Sequence, residues 1–255
     1  MEIKNSTVIV TGSSSGLGAA TAELIVNQGG NVLIADINEK YGHEIAKKLG
    51  SQALYQHCDV SNPDDADKTV ETTLSHFGAI HGLVNCAGIA IGEKTTGKSG
   101  AHRLDSFQKV ITINLIGTFN MIRVASTSMA QAKPNEKGER GVIVNTASVA
   151  AYDGQIGQAA YAASKGGIVG MTLPIARDLA RSGIRIMTIA PGIFETPMLA
   201  GMPPEVQDSL GKQVPFPSRL GKSAEFAELV SNIFSNSMLN GESIRLDGAI
   251  RMTPK

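Results

Sequence analysis

The chain has 255 residues, enough for one large domain or two small ones, and its 42% hydrophobic content supplies a sizeable core. Lys+Arg and Asp+Glu both number 23, which excludes the basic footprint of a nucleic-acid binder and the acid excess of a polyanionic tail. Cys58 and Cys86 form no CxxC or disulfide framework, and His43, His57, His76, His81 and His102 form no HExxH and no cluster with them, so a reducing compartment and no metal site are expected.

No apolar run reaches the ~18 residues that span a membrane, so no membrane partner is expected. The first apolar run, Thr7-Val8-Ile9-Val10, begins almost at Met1. A cleavable targeting segment would take the first strand with it, and the mature chain is expected to be this one.

Ser6 to Thr11 is a β-branched run that stops at Gly12, and Ser13-Ser14-Ser15-Gly16-Leu17-Gly18 leads into an amphipathic stretch to about Gln28. Strand, glycine turn, helix is the order that binds a dinucleotide. Glycines let the backbone approach a pyrophosphate, and the helix N-terminus offers unpaired N–H groups and the positive end of its dipole. The spacing is Gly12-x-x-x-Gly16-x-Gly18 rather than the usual G-x-G-x-x-G. Asn31 to Ala35 reads as a second buried strand ending in Asp36, about twenty residues past the glycines, where an acid binds both ribose hydroxyls of an adenosine. That carboxylate repels a 2′-phosphate, and no Arg or Lys in the turn offsets the repulsion, so NAD is favoured over NADP. The plainer alternative is a turn-forming Asp at a strand end.

A polar helix from about Asn38 to Leu49 and a short strand from Ala53 to His57 follow, and Asp59 lies within reach of an adenine. Asn62-Pro63 starts a helix, with Asn as N-cap and Pro in the first turn; Gly78 stops it beyond His76, whose charge suits that helix end. Ile80 to Val84 is a fourth strand running into Asn85-Cys86-Ala87-Gly88, where Gly88 lets the backbone pass close to a cofactor. Residues 89–103, rich in Gly, Lys and Thr, form a long loop expected beside the substrate. Lys94 and Lys98 in it are either solvated charges or contacts for an anionic substrate head. A helical pattern from about Arg103 to Ala132 carries Asn114 among Ile111, Ile113, Leu115 and Ile116, either as a satisfied core group or as part of a proton network.

After a polar turn over 134–140, Gly141 to Thr146 is the fifth strand. It delivers Ser148 just past its carboxyl end, the edge where ligands of open parallel sheets bind. Tyr161 and Lys165 are four residues apart in an Ala-rich run, so on a helix they share a face. A tyrosine with a pKa of about 10 is protonated at neutral pH, and a nearby ammonium lowers that value by roughly 1–3 units. The expectation is a lowered pKa at Tyr161 and proton exchange with an alcohol or ketone, whose oxygen Ser148 also bonds. A chance Tyr-x-x-x-Lys on a surface helix is the plain alternative. Arg185 to Ala190 is a sixth strand, and after Pro191-Gly192-Ile193-Phe194-Glu195, Thr196 is suited to hold a carboxamide. The segment 197–219 has five prolines and the apolar Met198, Leu199, Met202 and Phe216, and it reads as a mobile lid. A helix from about Ala224 to Asn236 and a strand from Ser243 to Leu246 close the chain, with no repeat or linker to divide it.

Taken together and in order, Gly12-x-x-x-Gly16-x-Gly18, Asn85-x-Ala87-Gly88, Asn114, Ser148, Tyr161-x-x-x-Lys165 and Pro191-Gly192 resemble the short-chain dehydrogenase/reductases over nearly the whole length. The resemblance implies a single-domain α/β fold of Rossmann type, a doubly wound parallel sheet with helices on both faces. It also implies a catalytic set in which Tyr161 is the acid/base, Ser148 polarises the substrate oxygen, Lys165 binds the ribose and Asn114 anchors a water relay. The NAD contacts it implies are Gly12, Ser15, Gly16, Leu17, Gly18, Asp36, Asp59, Val60, Asn85, Cys86, Ala87, Gly88, Tyr161, Lys165, Pro191, Gly192, Phe194 and Thr196, with Ser148, Gln155 and Tyr161 on the substrate.

The match tightens around residues 154–161, 166–180 and the 89–103 insertion, toward members that oxidise 3-hydroxyacyl-CoA or certain hydroxysteroids with NAD as homotetramers. The implied activity is interconversion of a secondary alcohol and a ketone on an acyl-CoA or a steroid, in the cytoplasm or, in a eukaryote, the mitochondrial matrix. A 3-oxoacyl-carrier-protein reductase is a rival that Asp36 disfavours, because such enzymes usually take NADPH. A silent NAD-binding scaffold, or a subunit of an RNA-processing assembly, is disfavoured by the intact set of Ser148, Tyr161, Lys165 and Asn114.

Overall fold

The computed structural model describes residues 1–98, 100–196 and 204–254. Seven strands, β1 (Thr7–Thr11), β2 (Asn31–Asp36), β3 (Ala53–His57), β4 (Gly82–Asn85), β7 (Gly141–Thr146), β8 (Ile184–Pro191) and β9 (Ser243–Leu246), make one sheet in the order β3-β2-β1-β4-β7-β8-β9. Every pairing is parallel. A parallel pair needs a crossover, and the chain supplies helices for it: α1 (Gly16–Asn27), α2 (Glu39–Leu49), α3 (Pro63–Phe77), α4 (Leu104–Ile111) running on into α5 (Gly117–Gln131), α6 (Ala150–Asp153), α7 (Ala159–Leu179), α8 (Pro204–Lys212) and α9 (Ser223–Ser235).

Alternation along the strands sends consecutive residues to opposite faces, and both faces are covered. Val8, Val10, Val32, Ile34, Val84 and Val144 pack with Ile25 of α1 and Phe226, Val230 and Phe234 of α9. Ile9, Leu33, Leu83, Ile143 and Ile186 pack with Met121, Ala125 and Met129 of α5 and Ile175 of α7. This is a doubly wound, Rossmann-type α/β fold.

Local chemistry sets the ends of α3. Asn62 Oδ1 accepts the Asp64 N–H at 2.9 Å, Pro63 fills the first turn, and Gly78 closes the helix at φ +80° with its N–H on Leu74 O. Elsewhere tertiary packing intervenes. A π turn, Thr112–Ile116, joins α4 to α5 and carries Asn114 at 0% exposure. The joined helix Leu104–Gln131 does have the length and apolarity of a membrane-crossing segment, contrary to the sequence reading, and 56% of its most apolar stretch is buried inside the protein. The 89–103 loop holds a short antiparallel hairpin, β5 (Thr96–Gly97) with β6 (Gly100–Ala101). Part of the segment read as a lid is helix α8, Phe216 is 83% exposed, and Met198, Leu199 and Met202 lie outside the described residues.

Candidate active site

Strand order reverses between β1 and β4, which opens a crevice at their carboxyl ends, the switch point where doubly wound sheets bind ligands. A cleft of about 730 Å³ occupies it, bordered by the β1–α1 turn and the segments that leave β2, β3, β4, β7 and β8.

The turn from Gly12 to Gly18 shows what its glycines do. Gly12 sits at φ +64°, and a Cβ there would lie 2.7 Å from the Ala87 backbone; a Cβ on Gly18 would lie 2.3 Å from Gly12 O. These two glycines pack the turn against β4 and the helix against the turn, while Gly16, at φ +53°, makes the left-handed bend. Ser15 is the N-cap of helix α1 but makes no side-chain capping bond, so the helix's first N–H groups are left for a ligand. Thr11 Oγ1 accepts the N–H groups of Cys86 and Ala87 at 3.2 Å each and ties the turn after β4 to β1.

At the end of β2, Asp36 accepts Ser14 N–H on Oδ2 at 3.0 Å and Asn38 N–H on Oδ1 at 2.9 Å. The carboxylate is held in place with lone pairs to spare for hydroxyl donors. Among the described residues that line the cleft, Lys165 is the single cation. Pyrophosphate-sized backbone donors, an anchored acid for a diol and a lysine at the far end fit a nicotinamide dinucleotide.

Tyr161 and Lys165 project from one face of α7. Lys165 Nζ donates to Thr146 O at 2.7 Å and stands 5.7 Å from the Tyr161 ring centroid. Burial pushes the Lys165 ammonium down to about 8. Burial also raises the Tyr161 phenol above its ordinary value, and a hydrogen bond with Ser148 works the other way. The expectation that the ammonium would lower the phenol's pKa is therefore corrected: desolvation outweighs the Ser148 hydrogen bond, and one N–H of the ammonium is turned to Thr146 O.

The Asn114 amide N–H groups are both paired. Its Oδ1 accepts Ile89 N–H at 2.8 Å, and its Nδ2 donates to Ile89 O at 2.9 Å and to Ser164 Oγ at 3.0 Å. The side chain clasps the segment after Gly88 to α7 with both amide N–H groups in use, and Thr118 Oγ1 donates to the Asn114 backbone carbonyl at 2.7 Å. Of the two readings of its burial, these bonds show Asn114 as a satisfied core group, joined to Ser164 three residues after Tyr161 on α7.

The cleft gathers Gly12, Ser15, Gly16, Leu17, Gly18, Asp36, Asp59, Val60, Cys86, Ala87, Gly88, Ser148, Tyr161, Lys165, Pro191, Gly192, Phe194 and Thr196. Three anticipated residues are not on its wall. Asn85 is turned into the sheet, donating to Asn145 Oδ1 at 2.9 Å. Asn114 lies behind the wall, and Gln155 donates to Thr253 O at 3.0 Å beside a separate hollow that it shares with Lys94. Gln158 lines the cleft instead, and its spacing three residues before Tyr161 was a usable signal. Thr11, Ser164 and Met252 had none.

The chain matches the model of the family described as "short chain dehydrogenase" over residues 6–207. The 3-hydroxyacyl-CoA dehydrogenase type-2 of Drosophila melanogaster is 54% identical over 254 residues, covering 99% of this chain and 100% of that one. The Homo sapiens protein of the same name is 53% identical over 254 residues, covering 99% and 97%. The crystal structure of 3-hydroxyacyl-CoA dehydrogenase type-2 from Mycobacterium avium is similar at a TM-score of 0.94 and 38% identity, covering 98% of this chain and 97% of that one. By this family match and these full-length identities, the chain belongs to the short-chain dehydrogenases and is an oxidoreductase.

Proposed function

We propose that the protein interconverts 3-hydroxyacyl-CoA and 3-oxoacyl-CoA with NAD. One observation carries the choice of cofactor: Asp36, anchored by two backbone N–H groups at the end of β2, faces a cleft in which no described lining cation other than Lys165 is present to meet a 2′-phosphate. The substrate reading is supported by full-length identity to proteins named for that substrate.

The nicotinamide, when bound, supplies the hydride acceptor or donor. The chain's own residues do the rest. Ser148, just past β7, holds the substrate oxygen together with Tyr161, and Tyr161 takes or gives that oxygen's proton. Lys165 keeps N–H groups beyond the one on Thr146 O, and these are placed for a ribose. Asn114 and Ser164 hold the helix that carries Tyr161 against the segment after Gly88. A homotetramer in the cytoplasm, or in the matrix of a eukaryotic mitochondrion, accompanies this reading, and sedimentation tests the assembly.

Initial rates across acyl-CoA, acyl-carrier-protein and hydroxysteroid substrates, each with NAD(H) and NADP(H), test the proposal. The expected result is the highest kcat/KM with a 3-oxoacyl-CoA and NADH. Tighter binding of NADPH than NADH in a fluorescence titration defeats the reading of Asp36, and Asp36→Ala should narrow the preference for NADH.

A further inference from the structure

The segment that follows β9 leaves the sheet beside the cleft and crosses the loop leading into α7. Its start is fixed at the cleft floor, where a Cβ on Gly192 would lie 2.9 Å from Asp247 Cα. From there it is bound to two segments far apart in the chain. On one side Phe216 N–H donates to Gly248 O at 3.3 Å. On the other, Ile156 N–H donates to Pro254 O at 3.0 Å and Gln155 Nε2 donates to Thr253 O at 3.0 Å.

An ion network runs through the crossing. Arg245 meets Asp153 in a two-pronged pair, Nη2 to Oδ2 at 2.6 Å and Nη1 to Oδ1 at 3.3 Å, and reaches Asp247 Oδ2 with Nε at 2.7 Å. Arg245 Nη2 also donates to Ile250 O at 3.0 Å, and Arg251 Nη1 meets Asp247 at 3.1 Å. The Arg245, Asp153 and Asp247 side chains are 21%, 17% and 8% exposed, so the pairs are shielded enough to hold a geometry, unlike open surface pairs. Ile250 is 2% exposed and pins the segment to the body of the protein. Two residues further on, Met252 lines the cleft, the one described residue after β9 that does.

We propose that the 247–254 segment is a specificity element of this enzyme, with Met252 as its substrate-facing residue and the Asp153–Arg245 pair as the latch that positions it. In the sheet, β9 and β7 lie on one side of the β1/β4 crevice and β2 on the other, so the latch holds Met252 on the side of Ser148 and Lys165, away from Asp36 at the end of β2. A thioether on an unbranched side chain is an adaptable apolar wall for the group attached to the carbinol carbon. The proposal rests on the acyl-CoA reading only for its choice of probes.

The test measures NADH-dependent rates with acetoacetyl-CoA, 3-oxododecanoyl-CoA and a ketosteroid that carries no CoA. Small changes in an apolar pocket are worth about 10–200-fold in discrimination. Met252→Ala should therefore move the short-to-long ratio of kcat/KM about tenfold toward the long thioester, and Met252→Trp should move it the other way. On an Asp153→Asn background the Met252→Ala shift should fall below about twofold, because coupled residues are not additive. Arg245→Lys, which keeps the charge and loses the fork, should fall between. NADH affinity should stay at the parent value throughout.

A ratio unmoved in both Met252 variants overturns the specificity role. A Met252→Ala shift that is undiminished on the Asp153→Asn background overturns the latch. Failure of the acyl-CoA reading shows itself separately, as a parent protein that reduces the ketosteroid and neither thioester. The same variants are then compared on the ketosteroid against cyclohexanone, with the same expected shift toward the bulkier ketone and the same overturning result.

Discussion

The Asn114 amide donates to the Ser164 hydroxyl at 3.0 Å, and that hydroxyl donates to the Tyr161 carbonyl at 2.7 Å. The π turn and the catalytic helix are thus joined through a serine that lies off the cleft wall. Ser164→Ala leaves an Asn114 N–H unpaired at a fully buried position, which costs about 1–3 kcal/mol. We expect a Tm lower by several degrees, a kcat reduced several-fold and NADH affinity unchanged. A Tm and kcat equal to the parent's would remove Ser164 from the positioning network.

Tyr161→Phe removes the one phenol on the cleft wall and keeps its ring. General acid–base catalysis contributes about 10²–10⁴-fold, and kcat should fall by at least that factor with NAD binding retained. Because the Ser148 hydrogen bond lowers the phenol's pKa against the effect of burial, Ser148→Ala should raise it further. Alcohol oxidation needs the phenolate, so its rate–pH profile should move to higher pH in Ser148→Ala. A profile that stays in place separates Ser148 from Tyr161.

Stability should record the buried Lys165. Its folded value of about 8 lies below the ordinary 10.5, so between those pH values the unfolded chain binds more protons and stability rises with pH. Cys58 and Cys86, pushed by burial from 9.0 to about 11, act in the opposite sense from pH 9 upward. The informative quantity is therefore the difference between parent and Lys165→Met in chemical denaturation. Lys165→Met should gain most over the parent below pH 8, and the gain should shrink as pH rises toward 10. A gain independent of pH contradicts a charged, buried Lys165.

Lys94 lines the hollow beside Gln155 and Gln158, and Lys98 sits in the turn of the β5–β6 hairpin. If these lysines meet the phosphates of a CoA head, Lys94→Ala/Lys98→Ala raises KM for acetoacetyl-CoA and flattens its dependence on salt, since contacts between exposed charges are screened over about 8–10 Å. A steroid's KM should stay near the parent's. Equal effects on both substrates, or none on either, exclude a CoA role for the hairpin.

What the sequence determined by itself is what backbone period and turn chemistry determine. Two-residue alternation in Val8-Ile9-Val10 and Asn31–Asp36 becomes a sheet buried on both faces, Asn62, Pro63 and Gly78 set the ends of α3, and β9 spans Ser243–Leu246 as read. Four-residue spacing puts Tyr161 and Lys165 on one helix face wherever that helix lies. Other properties were decided only when distant elements were stacked. Gln155 and Gln158 differ by three positions, yet Gln158 lines the cleft while Gln155 turns to a carbonyl 98 residues away in the chain. The sign of the Tyr161 shift turns on the balance of desolvation and charge, and desolvation depends on everything packed around the ring. Asn114 finds its partners across 25 and 50 residues, and Met252 reaches the cleft because Arg245 finds Asp153 across 92. Such partnerships leave no local pattern, because burial and long-range pairing are properties of the assembled layers and not of any stretch of chain.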